Sequence, residues 1–106
     1  MKKWLLTSLL LLSGQSFADC SGVHCTNVKI TRLVITESGI SVGTSGDEKK
    51  LDCDAGTYDY LKLDLGHKNY DSIYSLILTS HTTEHPIWLR VSDKGSCKIS
   101  YVVSDK

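Results

Sequence analysis

Four cysteines are the feature that most limits the folds open to this chain. Cys20, Cys25, Cys53 and Cys97 are spread over residues 19–106. A domain of that length buries a modest apolar core and often needs covalent cross-links to be stable. In an oxidising compartment, the natural interpretation of four cysteines is two disulfide bonds. The interpretation therefore depends on whether the chain is exported.

Residues 1–18 have the three regions of a secretory signal peptide. Lys2 and Lys3 form a basic region, and residues 4–12 (WLLTSLLLL) form a short apolar core. Residues 16–18 (SFA) then place small residues at the two positions that a signal peptidase reads. The alternative, a membrane-spanning anchor, needs roughly 20 apolar residues, about twice the length of this run.

Cleavage is expected between Ala18 and Asp19, which leaves residues 19–106 as one domain. A lipidated cysteine would follow a small residue, whereas Cys20 follows an aspartate. We therefore expect Cys20 to be free to form a disulfide bond. The domain is expected in the periplasm or outside the cell, with no membrane attachment after cleavage.

Of the three pairings that four cysteines allow, we favour a local Cys20–Cys25 clip and a long Cys53–Cys97 staple. Closing the longer loop removes roughly 4 kcal/mol of unfolded-state entropy in the chain-entropy model. The alternative is a metal site that uses His24 and Cys25. The sequence lacks a second CxxC or HxxxH pair at a usable spacing, so neither a metal ion nor another cofactor is expected.

The charge balance bears on the partners that the domain can bind. Removing Lys2 and Lys3 lowers the basic count from 12 to 10 against 12 acidic residues, a formal net charge of −2. The longest basic run that remains is Lys49-Lys50. A nucleic-acid partner would need a cationic surface, so none is expected.

Five segments have the composition or the alternation of β-strands. Residues 27–36 (NVKITRLVIT) and 40–44 (ISVGT) are rich in β-branched residues and predict a hairpin. Residues 58–65, 87–92 and 98–103 alternate apolar and polar positions. The residues expected to share a face in these three strands are Leu61, Leu63 and Leu65, then Ile87, Leu89 and Val91, then Ile99, Tyr101 and Val103.

Between the third and fourth strands the apolar period becomes helical. Apolar residues recur at helical spacing from Tyr70, which predicts a helix to about residue 82 or 83. Asn69 is the expected N-cap, and Pro86 is expected to end the helix. The order β-β-β-α-β-β is that of a five-stranded OB barrel, here stapled by disulfides. The alternative is another small α+β sheet with one helix packed across it.

Several segments resemble a group of small exported bacterial proteins, whose layout is similar to the B subunits of pentameric toxins such as subtilase cytotoxin and the pertussis-like toxins. The resemblance covers about residues 29–105 and is carried by Cys53 with residues 60–63 (YLKL), 70–78 (YDSIYSLIL), 89–91 (LRV) and 97–102 (CKISYV). It implies an OB-fold module that forms a ring of five and binds cell-surface glycans. No sugar-binding motif aligns position by position, so the resemblance assigns no glycan-binding residue.

Enzymatic motifs are weak in this sequence. Residues 81–85 (HTTEH) match the zinc signature H-x-x-E-H, in which two histidines hold Zn²⁺ and Glu84 is the general base. However, Pro86 ends the helix where the second ligand would lie. Asp52 and Asp54 flank Cys53 in a polar stretch that is typical of a solvated loop. We therefore expect no enzymatic activity, with a zinc hydrolase as a remote alternative.

Aromatic residues suggest a binding surface instead. If Ile87 and Leu89 face the core, Trp88 and Arg90 point outward and can form a platform for a sugar, a peptide or another subunit. Tyr58 and Tyr60 form a second group of ligand or interface candidates. These observations predict a secreted binding module whose partner is a glycan, another exported protein or a further copy of itself. The alternative is a monomeric periplasmic structural or inhibitor-like protein.

Overall fold

The computed structural model describes residues 17–106, which form a mainly β structure with one α-helix and two disulfide bonds. Residues 1–16, most of the predicted signal peptide, lie outside the described residues. The strands are β1 (Asp19–Ser21), β2 (His24–Val28), β3 (Ile30–Thr36), β4 (Gly39–Thr44), β5 (Leu61–Asp64), β6 (Ile87–Val91) and β7 (Ile99–Val103). The helix α1 spans Tyr70–Thr83, and a 3-10 turn spans Glu48–Lys50.

The strands form two antiparallel sheets. One has the order β1-β2-β6-β7 and the other the order β3-β4-β5. The single strand expected over residues 27–36 is therefore divided between the two sheets, because Lys29 interrupts it. Asn27 has a left-handed φ of 54°, and the register against β6 shifts between Cys25 and Val28. This irregularity bends the chain so that one stretch of polypeptide passes from the first sheet to the second.

The N-terminal hairpin was not predicted as paired strands. Cys20 lies directly opposite Cys25 in the β1–β2 register, and a disulfide bond joins them. Gly22 has a φ of 62°, a left-handed conformation that suits the tight connection between the two strands. A second disulfide bond joins Cys53 to Cys97. Both bonds are those favoured from the sequence.

The core lies between the inner faces of the sheets and one side of α1. In β5 and β6 the residues that were expected to share the core-facing side are buried. They are Leu61, Leu63, Ile87, Leu89 and Val91. Leu65 does not join them and is 55% exposed. The expectation for Leu65 was wrong because β5 ends at Asp64 and the chain turns away towards α1.

A β-bulge changes the face pattern of β7. Arg90 pairs with Tyr101 while Val91 pairs with Ile99, so Ser100 is an extra residue on β7. An extra residue reverses the alternation beyond it. Ile99 therefore points into the core, whereas Tyr101 points out and is 45% exposed. The prediction that Ile99 and Tyr101 share a face was wrong for this reason.

The helix begins and ends close to the predicted positions. Asn69 precedes α1, but its side chain makes no capping hydrogen bond; its carbonyl accepts from the Ile73 N–H (2.9 Å). At the other end Glu84 adopts a left-handed φ of 60°, which stops the helix two residues before Pro86. Within residues 17–106, no helix has the length and apolar character needed to cross a membrane.

Across residues 17–106 the two sheets are bridged near the start of β7 but are not closed into a barrel. An isolated parallel bridge pairs Lys62 with Lys98, and the Lys62 N–H donates to the Cys97 carbonyl at 2.7 Å. The Cys53–Cys97 bond lies at the same junction. Because residues 17–106 contain seven strands in two sheets, the predicted five-stranded OB barrel is not confirmed, whereas a mainly β fold with one helix is confirmed for this part of the chain.

The two disulfide bonds should differ in their contribution to stability. The Cys53–Cys97 bond spans 44 residues and the Cys20–Cys25 bond spans 5. The chain-entropy model gives about 4 kcal/mol for the longer loop and about 2 kcal/mol for the shorter one. Replacing both cysteines of each bond by alanine should therefore lower the free energy of unfolding more for Cys53 and Cys97, as measured by urea denaturation. An equal or smaller loss for the longer loop would contradict this assignment.

Candidate functional site

The outer face of the four-stranded sheet carries the first pair of candidate residues. β6 lies inside this sheet, between β2 and β7. Because Ile87 and Leu89 point into the core, Trp88 and Arg90 project from the opposite face, as the sequence predicts. Trp88 is 46% exposed, and Arg90 is half-buried.

Cross-strand pairing places two further side chains beside Arg90. His24 on β2 and Tyr101 on β7 are its direct neighbours in the register. The His24 Nε2 lies 3.4 Å from the Tyr101 hydroxyl, and the two ring centroids are 6.5 Å apart. We call the surface formed by His24, Trp88, Arg90 and Tyr101 the Trp88 face.

The Trp88 face combines aromatic and hydrogen-bonding groups. Trp88 and Tyr101 offer exposed ring surface, which can stack on the apolar face of a ligand. The Arg90 guanidinium donates hydrogen bonds in a fixed planar geometry, and His24 and the Tyr101 hydroxyl add further polar groups. The arrangement is suited to non-covalent recognition of a ligand that has both apolar and polar edges.

Sequence reasoning missed two members of the Trp88 face. His24 was considered as a metal ligand, and Tyr101 was placed on the face of Ile99. Both errors have the same origin, since the neighbours of a residue across a sheet depend on register. No local motif around His24 or Tyr101 gives that register.

The second pair of candidates, Tyr58 and Tyr60, forms a stacked group beside the other sheet. Their ring centroids are 6.0 Å apart with an interplanar angle of 28°, and the Lys62 Nζ lies 5.8 Å from the Tyr60 centroid. These rings line a cleft of about 360 Å³ together with Asp54 and Ser96. Tyr58 is 76% exposed.

A turn, not a strand, presents Tyr58. β5 begins at Leu61, three residues later than the predicted strand. The turn is closed by the Tyr60 N–H, which donates to the Ala55 carbonyl at 3.0 Å. Asp59 within it has a left-handed φ of 58°, a conformation that aspartate tolerates better than most residues.

The HTTEH motif is not assembled into a zinc site in this structure. The His81 Nδ1 lies 2.9 Å from the Ile30 carbonyl, and the His85 Nε2 lies 2.7 Å from the Asp105 carbonyl. Each imidazole is thus engaged by backbone on a different part of the chain. Within residues 17–106, no three His, Cys, Asp or Glu side chains form a group that could hold a metal ion.

The other candidate groups have structural partners as well. Cys25, considered as a metal ligand with His24, is in a disulfide bond. Asp54, which flanks Cys53, accepts a hydrogen bond from the Gly56 N–H at 2.9 Å and is exposed, as expected of a solvated loop.

Glu48 is a buried carboxyl group with a perturbed pKa. The residue is only 5% exposed, and its Oε2 accepts a hydrogen bond from the Thr44 N–H at 3.1 Å. Burial raises the pKa of Glu48 above its ordinary value, because removing water from the carboxylate disfavours the charged form. The Thr44 hydrogen bond opposes this effect, and the nearby Asp59 charge adds to it.

The Glu48 environment predicts a pH-dependent effect of Glu48→Gln. A carboxyl group whose pKa is higher in the fold than in the unfolded chain stabilises the fold most at low pH, and this contribution is lost as the pH rises through the folded pKa. Glu48→Gln should therefore raise the free energy of unfolding at about pH 7, and the gain should disappear below the ordinary value of 4.5. Urea denaturation across this range measures the difference, with exposed Glu37→Gln as the control. A loss of stability at neutral pH would contradict the prediction.

Comparisons with known proteins add no relative from which a role could be transferred. No protein-family model, no curated protein and no solved structure matches the chain.

Proposed function

We propose that this protein is an exported, non-enzymatic binding module that presents the Trp88 face to a glycan. The observation that carries the proposal is the juxtaposition, on one open sheet surface, of two exposed aromatic rings, an arginine and a histidine. Trp88 and Tyr101 supply the rings, and Arg90 with His24 supplies the polar groups. This set fits a sugar, which has an apolar ring face and a rim of hydroxyl groups.

The sheet supports such binding because it holds these side chains in place before the ligand arrives. β6 is paired on both sides, and its inner residues Leu89 and Val91 are fully buried. A rigid surface loses less conformational freedom on binding than a loop does. Trp88 at the centre of the sheet is therefore the residue expected to dominate the binding energy.

We further propose that the two sheets are the two halves of an OB-like barrel. Three features support this. β2 and β3 are separated by one residue, Lys29, and so can act as one bent strand. The helix lies between β5 and β6, and Lys62 and Lys98 bridge β5 to the start of β7. The resemblance to toxin B subunits points in the same direction and favours export and a glycan ligand.

Self-association is the other part of this proposal. β3 lies at an edge of its sheet and carries Ile35, which is 63% exposed. On α1, Leu78 is 40% exposed. Exposed edge strands offer unpaired backbone groups to a second chain, and apolar side chains beside them strengthen the contact. We propose that copies of this chain associate through β3, which leaves the Trp88 face accessible.

The alternative function is a monomeric structural or inhibitor-like protein of the periplasm. It differs from a glycan-binding oligomer in two measurable properties, the mass in solution and the affinity for sugars.

Trp88→Ala should weaken glycan binding about tenfold or more without unfolding the protein, because the indole is an exposed central contact. The oxidised protein is screened on a glycan array, and the affinity for the best ligand is then measured by calorimetry for each variant. Tyr58→Ala, which removes an exposed aromatic ring beside the other sheet, is the matched control and should bind normally. Equal affinity of the Trp88→Ala variant, or no bound glycan at all, would refute the proposed site.

Ile35→Lys should shift the protein from an oligomer to a monomer, because a charge on an edge strand opposes strand pairing between chains. Light scattering coupled to size-exclusion chromatography gives the mass directly. Leu65→Lys, at an exposed apolar residue outside β3, serves as the control and should leave the oligomer intact. A monomeric wild-type protein would favour the structural or inhibitor-like alternative.

A further inference from the structure

His67 uses both ring nitrogens, and its partners define its protonation state. The Asn69 N–H donates to Nδ1 at 3.0 Å, so Nδ1 carries no proton. Nε2 lies 2.9 Å from the Ser100 carbonyl, which can only accept, so Nε2 carries the proton. The geometry therefore specifies the neutral Nε2–H tautomer.

The two partners of His67 lie at structurally important positions. Asn69 is the residue immediately before α1. Ser100 is the extra residue of the β7 bulge, whose carbonyl His67 satisfies. The backbone of His67 is also held, since its N–H donates to the Asp64 carbonyl and its carbonyl accepts from the Tyr70 N–H, both at 3.1 Å. His67 thus ties the start of α1 to the bulge.

The bulge determines the position of Tyr101. Without an extra residue at Ser100, strict alternation would turn Tyr101 to the same face as Ile99, inside the protein. With the bulge, Tyr101 faces outward and lies beside Arg90 and His24. The hydrogen bond from His67 to Ser100 therefore supports the orientation of one ring of the Trp88 face.

We propose that His67 is a positioning residue of the Trp88 face, which holds Tyr101 in its binding orientation while the imidazole is neutral and releases it when the imidazole is protonated. The consequence for glycan binding rests on the proposed function above. The coupling between His67 and Tyr101 does not, because it concerns the fold alone.

Protonation acts through the loss of an acceptor. A charged imidazole has N–H groups at both nitrogens, so Nδ1–H would face the Asn69 N–H and that hydrogen bond would be lost. A positive charge beside the first turn of α1 is also unfavourable, since the helix N-terminus is the positive end of its dipole. The ring is expected to move out of this position, and Ser100 then loses its partner.

Charges of both signs surround His67. Asp64 and Lys98, which form a 3.1 Å salt bridge, line the cleft on one side of it, and Lys68 and Asp71 line the cleft on the other. The charged side chains that face His67 are therefore two carboxylates and two lysines.

The other histidines have different partners. His81 and His85 each face a backbone carbonyl, which accepts an N–H from the neutral and the charged ring alike. His24 lies on the Trp88 face itself, beside Arg90 and the Tyr101 hydroxyl. Its protonation would add charge to that surface, so the test must separate His24 from His67.

Nuclear magnetic resonance of the isotope-labelled, oxidised protein tests the proposal. At about pH 8, two-bond nitrogen–proton spectra should show the Nε2–H tautomer for His67. On acidification to about pH 5, the Tyr101 ring signals should shift together with the titration of His67. The protection of the Asn69 amide, which is its exchange rate compared with that of an unstructured peptide at the same pH, should then fall about tenfold, as expected for the loss of one hydrogen bond.

Variants distinguish positioning by His67 from other effects of pH. His24→Gln alone should preserve the pH-dependent shift of Tyr101, and His85→Gln is the matched control at another carbonyl-bound histidine. Adding His67→Gln to the His24→Gln variant retains an N–H donor for the Ser100 carbonyl and leaves no ionisable ring at either position, so Tyr101 should keep its alkaline position at both pH values. A different His67 tautomer, or a Tyr101 shift that persists in the His67→Gln, His24→Gln double variant, would overturn the proposal.

Affinity measurements separate this proposal from the proposed function. If a glycan binds, its affinity should fall on acidification in the wild-type protein and remain constant in a His67→Gln, His24→Gln double variant. If no glycan binds at either pH while Tyr101 still follows His67, the proposed function fails and the positioning role stands. If a glycan binds and Tyr101 does not follow His67, the positioning role fails alone.

Discussion

The structure depends on the junction at Cys97, where the two sheets are tied together. Its disulfide bond to Cys53 fixes the chain just before β7 to the segment that precedes β5, and the hydrogen bond from the Lys62 N–H to its carbonyl fixes it to β5 in the three-stranded sheet. A further hydrogen bond, from the Asp54 N–H to the Gly95 carbonyl (2.7 Å), holds the preceding turn. β7 itself belongs to the four-stranded sheet. The three-stranded sheet thus positions the start of β7, whereas the four-stranded sheet provides the strand with which β7 pairs.

This double constraint accounts for the irregularity that follows. The inward residue Ile99 must pair with Val91, while two residues later Tyr101 must pair with Arg90, the direct neighbour of Val91. One residue, Ser100, has no place in the ladder, and its carbonyl needs a partner outside the sheet. His67 provides that partner from the segment before α1. The Cys53–Cys97 bond, the bulge at Ser100 and His67 are therefore parts of one arrangement. This arrangement places Tyr101 on the outer face of the sheet.

Local patterns in the sequence predicted the features that depend on near neighbours. The helical spacing of apolar residues from Tyr70 and the proline at position 86 predicted both ends of the helix to within a residue or two. Both signals depend only on residues within one or two helical turns. Alternation placed Leu89 inside and Trp88 outside because β6 is regular in its first half. The preference for a Cys53–Cys97 pair followed from the predicted export signal and from the proximity of Cys20 and Cys25 in sequence.

The register in which the strands pair could not be predicted from the sequence, and the candidate site depends on that register. His24 and Tyr101 are 77 residues apart in the chain, and only the bulges at Asn27 and Ser100 bring them to either side of Arg90. Each bulge adds one residue to a strand, and one residue reverses every face beyond it. A site built on one helix appears in sequence as a motif with fixed spacing, as HTTEH does, whether or not it functions. A site built across a sheet has no such spacing, so its members are identified only once the strands are paired.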